Sequence, residues 1–503
     1  MKNANPPWQR WFWITLAVTA LWKAIVIVKL DLCFDEGYYF YWSLFPQLSY
    51  FDHPPLTAWL MTLSGALFHD SVWTVRLWPF LGGILLAFLG RSLARRLFDA
   101  ETGDRAGVFL LLAPAFLGNG FLMTPDAPFA LCWAAAVWCA CRAVGSPSRF
   151  SAWWPAAGLC AGLGFLAKYN MVLFFFGLGL FWLFSPGRRV RIFQGAAAAG
   201  LVALLLFLPV IVWNAQHDWL SFRFQLSHGF SRNTRSVWAN AGDYAGALLI
   251  LVTPILGAFC FWSGARRATV HDPQRRLLAA FFWAVILFFA NSALQSRVQA
   301  NWPMLAFFSG LLLVARDWPT IARAWRRAAL ILVIVLDAAV MAYLLLPAQF
   351  PLAWSGRSLD IPRMKEFIGA REIARHTTRH WRETGADFVC PSSFQLFGSL
   401  AFYAPELRHV LWLPSRGRLR FPWIDDTQWS GKTALLVSRG RKNIAHEAFF
   451  RTVIDRDAVD IPFKKTLHHT LVFQLGRGYD PDAVVAHDDR LNRLLPPRPK
   501  RTE

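Results

Sequence analysis

The sequence predicts a polytopic α-helical membrane protein that ends in an extracytoplasmic α/β domain, and three observations carry this prediction. Of 503 residues, 55% are hydrophobic and only 17% are charged, where soluble domains carry roughly a quarter. Apolar runs of bilayer-spanning length recur through the first 350 positions. The charged residues are divided unevenly, 41 among the first 350 positions against 42 among the last 153, or about 12% against about 27%. The chain therefore meets two solvents, and a soluble enzyme, a disulfide-stapled secreted domain and a disordered chain are excluded. Cys33, Cys132, Cys139, Cys141, Cys160, Cys260 and Cys390 lie mostly in apolar runs, without metal-ligand or redox spacing, and read as small core hydrophobes.

A spanning helix needs about 20 apolar residues, because backbone polar groups facing lipid must be paired within the segment. Eleven such runs are expected, near 11–30, 74–92, 106–120, 127–142, 153–167, 170–185, 196–213, 245–263, 278–294, 301–315 and 328–347. The first is too long for a signal-peptide core and lacks a small-residue cleavage site, so it is expected to be retained. Alternate loops concentrate arginine: Arg91, Arg95, Arg96 and Arg105; Arg142 and Arg149; Arg188, Arg189 and Arg191; Arg266, Arg267, Arg275 and Arg276; Arg316, Arg323, Arg326 and Arg327. The opposite loops hold only Lys168, Arg223, Arg232, Arg235 and Arg297. This asymmetry predicts a cytoplasmic N-terminus and, after an odd number of crossings, an extracytoplasmic C-terminal segment. The net charge of +21 is thus a topology signal, and no nucleic-acid partner is expected.

Residues 1–350 are expected to form the transmembrane part, 351–493 the α/β domain and 494–503 a Pro- and Arg-rich disordered tail. Within the domain, 363–384 has helical spacing, while Phe388-Val389-Cys390, Ala434-Leu435-Leu436-Val437 and Leu471-Val472-Phe473 read as short buried strands.

The acids of the membrane portion are expected to gather on the face away from the cytoplasm. Asp31, Asp70 and Asp218 read as solvated loop charges. Phe34-Asp35-Glu36-Gly37-Tyr38-Tyr39-Phe40-Tyr41-Trp42 places two carboxylates beside an aromatic run, which predicts a short helix lying in the headgroup layer. Adjacent helical residues point about 100° apart, so one of Asp35 and Glu36 faces the site and the other supports it. In Tyr50-Phe51-Asp52-His53-Pro54-Pro55-Leu56 the prolines force an extended, stiff turn. There Asp52 and His53 bind a divalent metal ion, or His53 meets a phosphate while Asp52 orients it. Asp126, in Thr124-Pro125-Asp126-Ala127-Pro128, stands where it caps a helix. Asp337 is a lone acid within the last span.

These three motifs, with Gly162-Leu163-Gly164-Phe165-Leu166-Ala167-Lys168-Tyr169, Trp213-Asn214-Ala215-Gln216-His217, Phe224-Gln225-Leu226-Ser227-His228-Gly229 and Asn301-Trp302-Pro303, resemble the bacterial protein-mannosyltransferase-like membrane glycosyltransferases, relatives of the lipid A aminoarabinose transferase. The resemblance covers most of residues 30–310. It implies a C-type glycosyltransferase fold, and transfer of a sugar from a polyprenyl-phosphate donor to a glycolipid, glycan or protein acceptor outside the bacterial inner membrane, usually with inversion. Asp35 matches the catalytic acid of that family. Where the aminoarabinose transferases carry a Glu-Lys pair before the two prolines, this chain carries Asp52-His53.

The expected site is therefore Asp35 and Glu36 for catalysis, and His53, Lys168 and Arg297 for the donor phosphate. Asp52, His228 and Asp126 are expected to hold a divalent metal ion or to support the residues that touch substrate. No redox cofactor is needed, because the phosphodiester already activates the anomeric carbon. The competing reading is a transporter or lipid flippase, for which paired inverted repeats and broken helices at the midplane are wanting in the sequence.

Overall fold

The computed structural model describes residues 7–148, 151–230, 236–267, 271–345, 353–354, 357–358, 366–414, 417–440, 447–464 and 467–487. The expected tail at 494–503 lies outside them. A helix stands at each expected apolar run. Six are long and apolar enough to cross a bilayer unaided: α1 (Pro7–Lys29), α4 (Val72–Leu97), α7 (Asp126–Gly145), α10 (Arg189–Gln216), and the helices Pro273–Ala293 and Arg323–Leu345. The runs at 106–120, 153–167, 170–185 and 301–315 fall on α5 (Ala100–Leu112), α8 (Trp153–Ala167), α9 (Val172–Leu183) and the helix Ala306–Asp317. Each of these is only 12 to 15 residues long, or about 18–23 Å against a hydrocarbon core of about 30 Å. A further short helix, α6 (Pro114–Asn119), follows α5.

The run at 245–263 is not one straight crossing. It divides into α12 (Val237–Val252) and α13 (Pro254–Ala265), bent by 99°. Pro254 has no N–H to continue the ladder, and Thr253 stands in the left-handed region at φ 68°. The apolar helix α3 (Leu56–Phe68) has no counterpart among the eleven expected crossings. It begins where the second proline, Pro55, adopts helical angles and so starts a helix rather than only stiffening a turn. Asp337 is buried on Arg323–Leu345, with neither carboxylate oxygen hydrogen-bonded among the described residues.

The C-terminal domain carries a two-residue ribbon, β1 (Ala353–Trp354) with β2 (Arg357–Ser358), and a four-stranded sheet. In the sheet β3 (Phe388–Pro391) runs parallel to β4 (Ala434–Arg439), followed by β6 (Leu467–Tyr479) and the edge strand β5 (Phe450–Lys464), both pairings antiparallel. The three expected strands are the buried ones. β5 carries Arg451, Asp455, Arg456, Asp457 and Asp460 among its apolar residues, charges that suit an edge strand. The expected helix at 363–384 is ordered as Ala370–Thr384, and 363–365 lie outside the described residues.

The domain docks on α2 (Phe34–Ser43), and here one expectation fails. The aromatic run does not lie in a headgroup layer: Tyr38, Tyr39, Phe40, Tyr41 and Trp42 are buried in a core shared with the domain. Tyr41 meets Phe397 at 4.7 Å between ring centres, Phe40 meets Phe402 at 4.8 Å and Tyr38 meets Phe394 at 4.9 Å. The crossing is close because α2 and the domain helix Phe394–Tyr403 both carry glycine at the contact. A Cβ on Gly37 would stand 2.7 Å from the Gly398 backbone, and one on Gly398 would stand 2.2 Å from Tyr38 N. Burial of ring area against a second protein surface stabilises more than a half-wet position at the bilayer edge, so the sheet domain takes the place foreseen for lipid.

Candidate active site

Helix α2 resolves the roles of its two acids. Every described side chain of α2 is buried except Asp35. Glu36 is fully buried and fixed from four directions. Arg76 Nε donates to its Oε1 at 2.9 Å and Arg76 Nη2 to its Oε2 at 2.6 Å, while the Met123 and Cys33 backbone N–H groups donate at 2.9 Å each. Arg76 also donates to the carbonyls of Leu30 and Asp31, at 3.0 and 2.8 Å. Glu36 thereby ties α1, α2, α4 and the 120–125 loop together, and presents Asp35 from a rigid helix start.

The turn at 50–55 comes against the same helix. Tyr50 stacks on Trp42 at 4.2 Å with the rings 1° from parallel. From α11 (Leu220–Phe230), Ser221 donates to Tyr50 O at 2.8 Å and Gln225 to Asp52 O at 2.6 Å, while Asn214 accepts the Ser221 N–H at 3.1 Å. The Asp52 carboxylate accepts from Tyr38 OH at 2.7 Å and from Arg420 Nη1 of the C-terminal domain. Arg420 is buried, its guanidinium 4.1 Å from the ring centre of Phe394, 5.1 Å from that of Tyr38 and 5.7 Å from that of Phe51.

A second ion pair closes the cluster. Lys168 stands in the extended break between α8 and α9 and donates to Asp126 Oδ1 at 2.7 Å, while Asn301 Nδ2 donates to Asp126 Oδ2 at 2.6 Å. Asp126 is the first residue of α7, one past the N-cap position held by Pro125, and its two carboxylate oxygens are taken by Lys168 and Asn301. His53 lies 6.1 Å from Tyr39 between ring centres, with Nδ1 buried and without a hydrogen bond among the described residues. Burial first, and the Lys168 charge behind it, push the His53 imidazole down to about 4 against the pull of Asp52 and Asp126. It is therefore neutral at pH 7. Burial, and after it Asp35, Asp52, Tyr38 and Asp126, push the Tyr39 hydroxyl well up. Three acids and two cations thus surround Tyr39 and His53.

Of the eight expected residues, Asp35, Asp52, His53, Asp126 and Lys168 share this cluster, and Glu36 lies beneath it. Arg297 does not reach it in this structure. Its side chain is 68% exposed and pairs with Asp243 at 3.1 Å, an outlet that an exposed arginine finds more cheaply than burial. The side chain of His228 lies outside the described ones. A divalent ion does not fit what is described: Asp52 and Asp126 already face cations, and no three His, Cys, Asp or Glu side chains converge among the described residues. Arg420 went unassigned in the sequence, and so did Tyr38, Gln225, Asn214 and Asn301, although these four fall inside the quoted motifs.

A many-helix membrane bundle with an acid-bearing first outer loop and a small sheet domain is the architecture of the C-type membrane glycosyltransferases. The crystal structure of ArnT from Cupriavidus metallidurans bound to undecaprenyl phosphate superposes with a TM-score of 0.64, covering 97% of this chain and 99% of that one at 16% identity. Its apo state gives 0.61 over 92% and 98%. Residues 52–213 match the model of the dolichyl-phosphate-mannose-protein mannosyltransferase family. The lipid A galacturonosyltransferase RgtD of Rhizobium johnstonii is 24% identical over 409 residues, 76% of this chain and 80% of that protein. The undecaprenyl phosphate-alpha-4-amino-4-deoxy-L-arabinose arabinosyl transferase of Edwardsiella ictaluri is 30% identical over 222 residues, 42% of this chain and 40% of that one. The chain is a multi-pass inner-membrane glycosyltransferase with the C-type fold, similar in sequence to protein-mannosyltransferase-like enzymes and to the aminoarabinose transferases.

Proposed function

We propose that this chain moves a sugar from an undecaprenyl-phosphate-type donor to a hydroxyl or phosphate of an envelope acceptor at the periplasmic face, such as the lipid A named for the galacturonosyltransferase RgtD. The N-terminus is cytoplasmic, and residues 351–493 form a periplasmic domain over a transmembrane part at 1–350. The observation that carries the reading is that Asp35 alone is exposed on an otherwise buried helix whose neighbours are Asp52, Asp126, Lys168 and a neutral His53.

The acceptor oxygen attacks the anomeric carbon, its bond forming as the bond to the phosphate oxygen breaks, with inversion. The acceptor proton passes to Asp35, and the polyprenyl phosphate departs with the bonding pair. Base catalysis of this kind contributes on the order of 10²–10⁴-fold. Lys168 lies at the phosphate side, neutral His53 offers a hydrogen bond, and Glu36 and Asp52 position the residues that touch substrate. The test is transfer of labelled sugar by purified protein in nanodiscs. Asp35→Asn should insert, elute and melt like the parent, yet lose transfer on the order of 10²–10⁴-fold. A near-parental rate would remove Asp35 from the chemistry.

A further inference from the structure

Arg420 lies 368 positions from Asp52 in the chain and belongs to the sheet domain, yet its guanidinium enters the cluster. It closes the short helix Gly417–Arg420, which is anchored on both sides. Inward, Arg418 Nη2 donates to Asp426 at 2.6 Å, and Asp426 also accepts from Tyr479 OH at 3.1 Å. Outward, the next residue, Phe421, stacks on Phe397 at 4.5 Å and meets Tyr41 at 5.1 Å. The arginine is therefore held in place by the docked domain and does not swing in from a loose loop.

What this placement does follows from charge. Asp35, Asp52 and Asp126 bring three negative charges to the cluster, Lys168 brings one positive charge and His53 none. A polyprenyl-phosphate sugar brings one more negative charge, and its leaving group acquires a second. Without Arg420, a phosphate entering this site meets an uncompensated Asp52 in surroundings lined by Tyr38, Phe51 and Phe394, where water screens little. With Arg420, Asp52 is neutralised, and an aromatic-walled cation stands where charge develops.

We propose that Arg420 is a positioning residue of the transferase site, holding and neutralising Asp52 so that a lipid-linked phosphate is accepted beside it. The sheet domain must then be docked on α2 for turnover. This rests on the transferase reading above. It also accounts for the Asp52-His53 pair: the permanent cation comes from the far domain instead of from the residue next to the acid.

The full-length protein in nanodiscs tests it, with undecaprenyl phosphate as the binding probe and labelled sugar transfer as the rate. Arg420→Gln should lower kcat/KM about 100-fold, and Arg420→Lys should recover at least about a tenth of the parental value, since the charge returns without the fork. Because the leaving phosphate carries one more charge than the donor, Arg420→Gln should weaken undecaprenyl phosphate more than it raises the donor KM. Adding Asp52→Asn to Arg420→Gln should restore undecaprenyl phosphate binding to within about threefold of the parent, which a merely structural arginine would not allow. Equal transfer by Arg420→Gln and the parent overturns the proposal, as does a double variant that binds no better than the single one. A parent protein that transfers no sugar from any polyprenyl-phosphate donor overturns the transferase reading itself, and this proposal with it.

Discussion

The two ends of the bundle both carry acids, and they use them differently. At the arginine-rich end, Asp104 pairs with Arg91 at 2.7 Å, Asp317 with Arg275 at 2.7 Å and Arg266 at 3.1 Å, Glu101 with Arg105 at 3.4 Å and Asp99 with Arg316 at 3.3 Å. The expectation that the membrane-portion acids gather on one face is thus corrected, because Arg91, Arg105, Arg266, Arg275 and Arg316 recruit carboxylates that relieve repulsion among the arginines. At the other end the pairs Glu36–Arg76, Asp126–Lys168 and Asp52–Arg420 frame one exposed carboxylate, Asp35, on a buried helix. Matched pairs at one end serve topology and packing. The pairs at the other end serve to aim one group.

The comparison breaks most sharply at Arg76. Both partners of the Glu36 pair are fully buried, so Arg76→Ala leaves a carboxylate in a dry junction without its cation. The expected loss is about 3–5 kcal/mol, because the orphaned charge and not the lost attraction dominates. Yield and melting temperature should fall well below those of Asp35→Asn, whose target is exposed. Equal thermal stability of the two variants would show that α2 is not held through Glu36.

A smaller but more local break is available at the domain contact. Gly398→Val places carbon within 2.2 Å of the Tyr38 backbone, and backbone does not yield as a flexible side-chain end does. The helices must separate, at a cost of about 1–3 kcal/mol or more. Transfer should drop at least about tenfold as Arg420 withdraws, and the sheet domain should become easier to cleave by protease. Unchanged protease resistance with lost transfer would place the fault elsewhere than in docking.

What could be read from the sequence follows from whether the deciding contact is local. Asp35 and Asp52 stand in short motifs beside aromatic residues and prolines, and Lys168, Gln225, Asn214 and Asn301 in motifs that meet at one place. Their convergence is a property of the fold, but their presence is written locally. The 3.6-residue rotation already required Asp35 and Glu36 to differ, though it did not say which would be buried. Arg420 left no such trace, since an arginine in a charged domain looks like any other until the domain docks. The aromatic run of α2 misled for the same reason: rings suited to a headgroup layer are equally suited to a protein interface, and the partner lies hundreds of positions away. The bend at Thr253 was visible as Pro254, but a proline after an apolar stretch is compatible with a continuous kinked span.

The mildest test concerns His53, and it sharpens the difference between aimed and balanced charge. Its imidazole is held down at about 4, with burial first and then Lys168 and Arg420 opposing protonation, and Asp52 and Asp126 favouring it. In the unfolded chain the same group titrates near 6.5. Between these values the unfolded state binds the proton and the folded state does not. The stabilising contribution of the neutral ring is therefore complete above about pH 6.5 and is lost as the pH falls toward 4. Relative to His53→Gln, the parent should lose on the order of 1–3 kcal/mol across that window, read as a steeper fall of melting temperature with acid. Parallel curves for the two proteins would mean that the ring takes up a proton as readily in the fold as in the unfolded chain, and is charged below about pH 6.5. The donor phosphate would then meet a cation from the bundle itself, and the need for one from the sheet domain would weaken.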